Sequence, residues 1–258
     1  MPVSSNDGRS ALSTAARHAE SRTSHPHQEG SNLSVSEDRT VQPSPATAVP
    51  ASGIADPAPL GLAAFALTTF LLSAKNAGWM SHATGNAWLA YAFAYGGLAQ
   101  LLAGMWEFRN RNVFGATAFG TYGSFWIGLF LWVRFVVDPA VAAARTPTAI
   151  AVTVSALNHD LGWILLAFAI FNTYMLILSA QVNLAVFAVF LTLEITEIIL
   201  CIGNFAAGAA VLPTTTIKIG GYVGILTALV AWYASAAGVS NGVTGRLKFP
   251  VGSPLLSS

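Results

Sequence analysis

Charge is what this sequence has least of: 9% of its 258 residues are Asp, Glu, Lys or Arg, where a soluble domain carries about 25%. An aqueous fold is therefore disfavoured, and the 54% of residues that are hydrophobic point to lipid. The charge is also uneven. Arg9, Arg17, Glu20, Arg22, Glu29, Glu37, Asp38 and Arg39 all fall within the first 55 residues, leaving the apolar mass downstream nearly uncharged. Cysteine is limited to Cys201, inside an apolar run, so neither an intrachain disulfide nor a cysteine-based metal site can form. A net charge of +1, with the basic residues scattered, supplies no field for nucleic acid. No nucleotide loop, HExxH, paired CxxC or Ser-His-Asp pattern occurs, so no enzyme, cofactor or metal centre is expected.

Residues 1–52 are rich in Ser, Thr, Ala, Pro and His and contain no apolar run, hence no signal-peptide core. Such a segment cannot offset its chain entropy by burial, and a disordered polar tail is expected. His18, His25 and His27 read as solvated tail residues rather than metal ligands.

A helix needs about 20 largely apolar residues to cross a hydrocarbon core of about 30 Å. Six stretches meet or approach that length: about 57–74, 86–106, 113–137, 161–179, 184–203 and 217–239. Asp56 is placed to cap the first, with Pro57 in its first turn and Lys75 at its end. Glu107 to Asn112 reads as a surface loop, and a longer polar connection holds Asp138, Arg145, Pro147, His159 and Asp160. The fold class is thus all-α integral membrane, with six transmembrane helices within 53–245 and a short C-terminal tail, 246–258. The slight Lys/Arg bias of the loops points to cytoplasmic termini. Trp79, Trp88, Trp106, Trp132 and Trp163 lie near span ends, as interfacial anchors do. Small residues recur every four positions at Gly120, Ser124 and Gly128 and at Gly220, Gly224 and Ala228, permitting close packing within a protomer or between protomers.

Polar groups at bilayer depth are costly and normally face a partner or an aqueous path. Gly96, Gln100, Gly104 and Glu107 form one helical stripe, either room for a solute or a close helix contact. Glu107 itself, beside Arg109 and Arg111, reads as an exposed or ion-paired loop residue. Tyr122 and Ser124, in YGSFW, can donate to an anion or satisfy helix carbonyls. Glu194 and Glu197, three apart on one face, each cost about 3 kcal/mol or less at mid-membrane if ionised. Their proximity and desolvation favour a proton on at least one, which suits a proton relay or a neutral carboxyl bonded to a neighbouring helix. Asn204, in CIGN, can donate to a carboxylate or cap its helix.

Four ordered strings carry a family resemblance. DPAPLGLAAFALTTFLLS from Asp56, YGGLAQLLAGMWEF from Tyr95, FGATAFGTYGSFW from Phe114 and CIGNFAAG from Cys201 resemble the acetate uptake transporters, or succinate-acetate permeases, across about residues 56–240. The resemblance implies a ring of protomers, a homo-hexamer, in the plasma membrane, with one solute path per protomer for acetate and, in some members, succinate. It places a narrow apolar constriction at Phe65, Tyr122 and Leu193, and carries over Gln100, Glu107 and Asn204 as motif polar positions. Asp56 departs from the signature Asn, and Glu194 and Glu197 have no counterpart in the family pattern.

A carboxylate entering such a pore loses several kcal/mol of hydration, roughly, which fixed donors must replace in part. Tyr122, Asn204, Thr68, Thr69 and Ser124 are the available donors, and the only Lys or Arg within the expected spans, Arg134 and Lys218, lie near span ends. Phe65 and Leu193 would gate by dewetting. Acetate movement accompanied by a proton, with Glu194 or Glu197 as carrier, is the expected function. A channel for small neutral solutes such as urea or amides, and a membrane sensor of acetate with the tail as output arm, are the alternatives.

Overall fold

The computed structural model describes residues 53–81, 86–243 and 247–256, all within one unit, Pro50–Ser258. The polar tail, its three histidines and its expected disorder lie outside the described residues. The long helices begin where the sequence supplies a polar side chain for the first amides. Helix α1 (Ala58–Asn76) follows Asp56, whose carboxylate accepts the Ala58 amide at 3.0 Å. The next span is α2 (Trp88–Phe93), a π-helical turn (Ala94–Ala99) and α3 (Gln100–Arg109), continuous in backbone. Asn112 caps α4 (Val113–Trp132) by accepting the Gly115 amide, and a second π-turn (Val133–Val137) joins α4 to α5 (Asp138–Ala143). Thr146, Asn183 and Thr214 cap α6 (Pro147–Ser179), α7 (Leu184–Ala207) and α8 (Thr215–Gly242).

Among the described residues, five helical runs are long and apolar enough to span a membrane. The run from 88 to 109, divided by its π-turn, makes the sixth crossing. The polar connection expected between the third and fourth spans is largely helical: α4 continues through a π-turn into α5, and α6 begins at Pro147, so His159 and Asp160 lie on a helix. Apolar length marks the hydrocarbon thickness, whereas a capped helix runs on past it. Trp88 is 3% exposed and packs with Leu89, Trp126 and Leu129, so it is a core residue rather than an interfacial anchor.

The helices close into a ring. α1 packs on α8, α8 on α7, α7 on α6 and α3 on α4, while α1 also meets the π-turn and α3; only α4 and α6 touch lightly. Glycines set the close approaches. A Cβ at Gly104 would lie 2.6 Å from the Gly120 backbone nitrogen, and one at Gly96 would lie 2.5 Å from Thr68 Oγ1. The stripe of Gly96, Gln100, Gly104 and Glu107 is therefore a close helix contact, as expected where small residues rather than a hydrophobic drive bring helices together. Gly220 and Gly224 meet Leu200, Ser73 and Thr196 inside the protomer, whereas Ser124 is exposed and Gly128 meets nothing within 4 Å. The two stripes therefore serve different surfaces.

The chain's end folds back as a strap. The Val251 carbonyl accepts the Ala185 amide at 2.9 Å, the Leu255 and Leu256 amides donate to the Ala180 carbonyl, and Asn241 pairs with Phe249. Gly252, at φ +73°, lets the strap turn against Leu184.

Replacing Gly104 by Val is expected to separate α3 from α4, because backbone cannot yield as a side chain can, at a cost of about 1–3 kcal/mol. The measurement is the melting temperature in detergent, with Gly242→Ala, at the open end of α8, expected to leave it unchanged.

Candidate functional site

The structure gathers Phe65 of α1, Tyr122 of α4 and Leu193 of α7 into one buried apolar cluster. The Tyr122 ring is ringed by aromatics: Phe65 at 5.7 Å and Phe171 at 5.5 Å between centroids, both edge-on, with Phe168 and Phe125 beyond. Such an apolar collar resists wetting and the passage of ions.

A polar chain runs out from this collar. Tyr122 Oη donates to Asn172 Oδ1 at 2.9 Å and lies 3.3 Å from Glu197 Oε1. Asn172 spends both amide hydrogens, one on the Phe190 carbonyl at 3.0 Å and one on Glu194 Oε2 at 2.7 Å. Thr173 Oγ1 lies 2.8 Å from Glu194 Oε1, on an exposed face. The two carboxyls thus occupy different settings: Glu194 is half-buried with both oxygens partnered, while Glu197 is buried and its Oε2 has no partner among the described residues. A phenol has one hydrogen. That hydrogen can go to Asn172 or to Glu197 but not to both at once.

Asn172 is absent from the sequence reading, although it is fully buried and joins α4, α6 and α7. Its signal is an amide within the apolar run LLAFAIFNTYMLIL, which the rule that exposed Glu194 and Glu197 also marks. Thr68 is buried and satisfied, donating to the Ala64 carbonyl, whereas the Thr69 hydroxyl and Gln100 Oε1 are buried without partners. Ser124 is not brought to the collar: it faces outward and donates to the Gly120 carbonyl at 2.8 Å. Glu107 is fully buried in α3 rather than exposed in a loop, accepting from Asn110 at 3.3 Å, because α3 runs two residues beyond it and tucks it beneath Gly115.

Asn204 donates to the Leu200 carbonyl within its helix and lines a cavity of about 330 Å³. This cavity opens between the ends of α1, α5 and α7 and the starts of α2, α6 and α8, and reaches inward to Phe125, which packs on the Tyr122 ring. Asn158, also missed, spans from this wall to the Gly208 and Ala210 carbonyls and holds the α7–α8 connection. The structure thus sets an open cavity, an apolar aromatic cluster and a hydrogen-bonded carboxyl next to one another.

Residues 38–253 match the profile of the GPR1/FUN34/yaaH family. The chain belongs to this family. It is 39% identical to acetate permease A of Emericella nidulans over 81% of this chain and 70% of that protein. It is 34% identical to the succinate-acetate/proton symporter SatP of Escherichia coli over 77% of this chain and 96% of that one. The structure of the bacterial acetate channel SatP superposes with a TM-score of 0.64 at 32% identity, covering 77% of this chain and 99% of that chain. The chain is accordingly a multi-pass membrane protein of a transporter and channel family.

Asn172→Ala would leave Tyr122, Glu194 and the Phe190 carbonyl each short of a partner. The expected loss is about 1–3 kcal/mol, seen as a lower melting temperature in detergent. Thr173→Ala, at the exposed end of the same chain, should melt within about 0.5 kcal/mol of the parent.

Proposed function

We propose that this protein moves acetate and related small carboxylates, succinate among them, across the plasma membrane together with a proton. The observation that carries the reading is the placement of Tyr122: its ring stands in the apolar collar and its hydroxyl meets a buried carboxyl, Glu197. The names of the relatives support the substrate class. A carboxylate at the collar has left most of its water behind, and a proton passed from Glu197 would let it cross as the neutral acid, avoiding the cost of a bare charge in an apolar constriction. Glu197 would regain its proton from the aqueous side of the path, while Asn172, both of whose amide hydrogens are spent, holds Tyr122 and Glu194 in place.

The same reading takes the protomer into a ring, six copies by the resemblance, with cytoplasmic termini. Support for association comes from a groove of about 720 Å³ on the outer face, between α3, α4 and α6, floored by the small residues Gly120, Ser124 and Gly128. Small-residue faces of this kind are where membrane helices meet.

The test is uptake of labelled acetate into proteoliposomes, with and without an inward proton gradient. The gradient should stimulate uptake by the parent protein about tenfold per unit of pH difference under one-proton coupling. Glu197→Gln should keep some uptake but lose that stimulation, and Tyr122→Ala should lose the selectivity for acetate over larger anions. Absence of acetate uptake by well-folded protein that passes urea or acetamide would overturn the proposal in favour of a neutral-solute channel.

A further inference from the structure

Resting on the carboxylate reading above, we infer that Lys75, set by Asn86 and Trp88 in the vestibule wall, is a capture site for the carboxylate anion ahead of the collar. The sequence places Lys75 merely at the end of the first span. The structure turns it into the cavity of about 330 Å³, where it shares the wall with Asn76, Asn86, Trp88, Asn158 and Asn204. Lys75 Nζ donates to Asn86 Oδ1 at 2.8 Å and stands 5.4 Å from the centre of the Trp88 ring. These two contacts fix the ammonium without neutralising it, since neither partner carries a charge. An ammonium has three hydrogens, and the Asn86 bond uses one. The other charged groups at this wall are Asp138 and its partner: Asp138 lines the cavity, but its carboxylate is engaged by Arg134.

A second, independent observation points to a ligand. The indole nitrogen of Trp88 is buried and has no hydrogen-bond partner among the described residues, although an indole N–H is a donor only and normally finds one when buried. A cation and the unspent amide hydrogens of Asn76, Asn86 and Asn204 at one cavity, with the unpaired Trp88 indole in its wall, form a set suited to a small carboxylate, while Asn158 gives both its hydrogens to the Gly208 and Ala210 carbonyls. The ammonium attracts the anion, and the amides replace water around it. Asn204 stands at the inner part of this set on α7, the helix that also carries Leu193 and Glu197, so capture and collar lie along one helix. Because the cavity is open and the ammonium is partly solvated, holding is weak, as a transport site requires if the solute is to leave.

The inference is tested on the full chain in two readouts. Saturation-transfer NMR of the acetate methyl detects weak binding to the purified protein without any need for flux, and proteoliposome uptake gives the half-saturating concentration. Lys75→Gln should weaken binding at least fivefold and raise half-saturation by the same factor with the maximal rate little changed. Lys75→Arg should restore most of both. Raising the salt concentration should weaken acetate binding by the parent protein and leave Lys75→Gln unaffected, because screening acts on charge. Lys218→Gln, near the same end of the bundle and not in the cavity wall, is the control expected to behave as the parent. Unchanged binding and half-saturation in a folded Lys75→Gln would overturn the inference while leaving the transport reading intact. Binding that depends on Lys75, with no uptake by the parent, would uphold the site and sink the transport reading.

Discussion

The hydrogen bond from Tyr122 to Asn172 does two jobs, and most of the protomer's organisation follows from it. In the hydrocarbon a phenol cannot turn to water, so its hydrogen must go to protein. The acceptor it finds is on α6, whose backbone stands off from α4 and which otherwise meets it through the rings of Phe168 and Phe171. Asn172 in turn sends its own hydrogens to α7, at the Phe190 carbonyl and Glu194. One amide thereby ties together three helices whose apolar surfaces would pack about as well against lipid. The same bond fixes the phenol ring among Phe65, Phe168 and Phe171, so the position of the constriction and the closure of the helix ring are a single constraint.

Close approach on the other side of the ring makes this closure possible. Gly104 lies against the Gly120 backbone, and Gly96 lies beneath Thr68, which draws the divided span toward both α1 and α4. The π-turn at Ala94–Ala99 adds a residue to one helical turn where these contacts occur, and such bulges shift the facing of everything beyond them. Gln100 and Glu107 are thereby carried inward to burial. Gln100, Gly104 and Glu107 share one face of α3 by the ordinary helical period, and the π-turn before them sets where that face points.

The fold was legible because it depends on properties that add along the chain: apolar length, caps and small-residue spacing. The collar was legible through resemblance, and Glu194 and Glu197 through the cost of charge in lipid. What stayed hidden depends on neighbours distant in sequence. Asn172 satisfied the same cost criterion, but a lone amide among fourteen residues of α6 shows no partner until α4 and α7 are beside it. Trp88 looks like an anchor by position, and only the packing of Trp126 and Leu129 puts it in the core. Glu107 looks like part of a charged loop because Arg109 and Arg111 follow it, yet Arg111 sits at φ +59°, and this turn sends the chain back with Glu107 inside. Ser124 is two residues from Tyr122, and on a helix that spacing turns it to a different face.

The arrangement of charge along the path has a mechanical logic. A site able to strip a carboxylate of its water must offer strong compensation, yet strong compensation at the narrowest point would trap the anion there. Here the positive charge stands in the vestibule at Lys75, where water still contributes, and the collar holds no Lys or Arg among its described residues. What stands behind the collar is a carboxyl, Glu197, which would repel an anion when ionised and donate to it when protonated. On the proposed mechanism the anion would be drawn in by a charge it need not abandon its hydration to reach. It would then enter the apolar segment only in company with a proton, which would set selectivity and coupling at two places joined by α7.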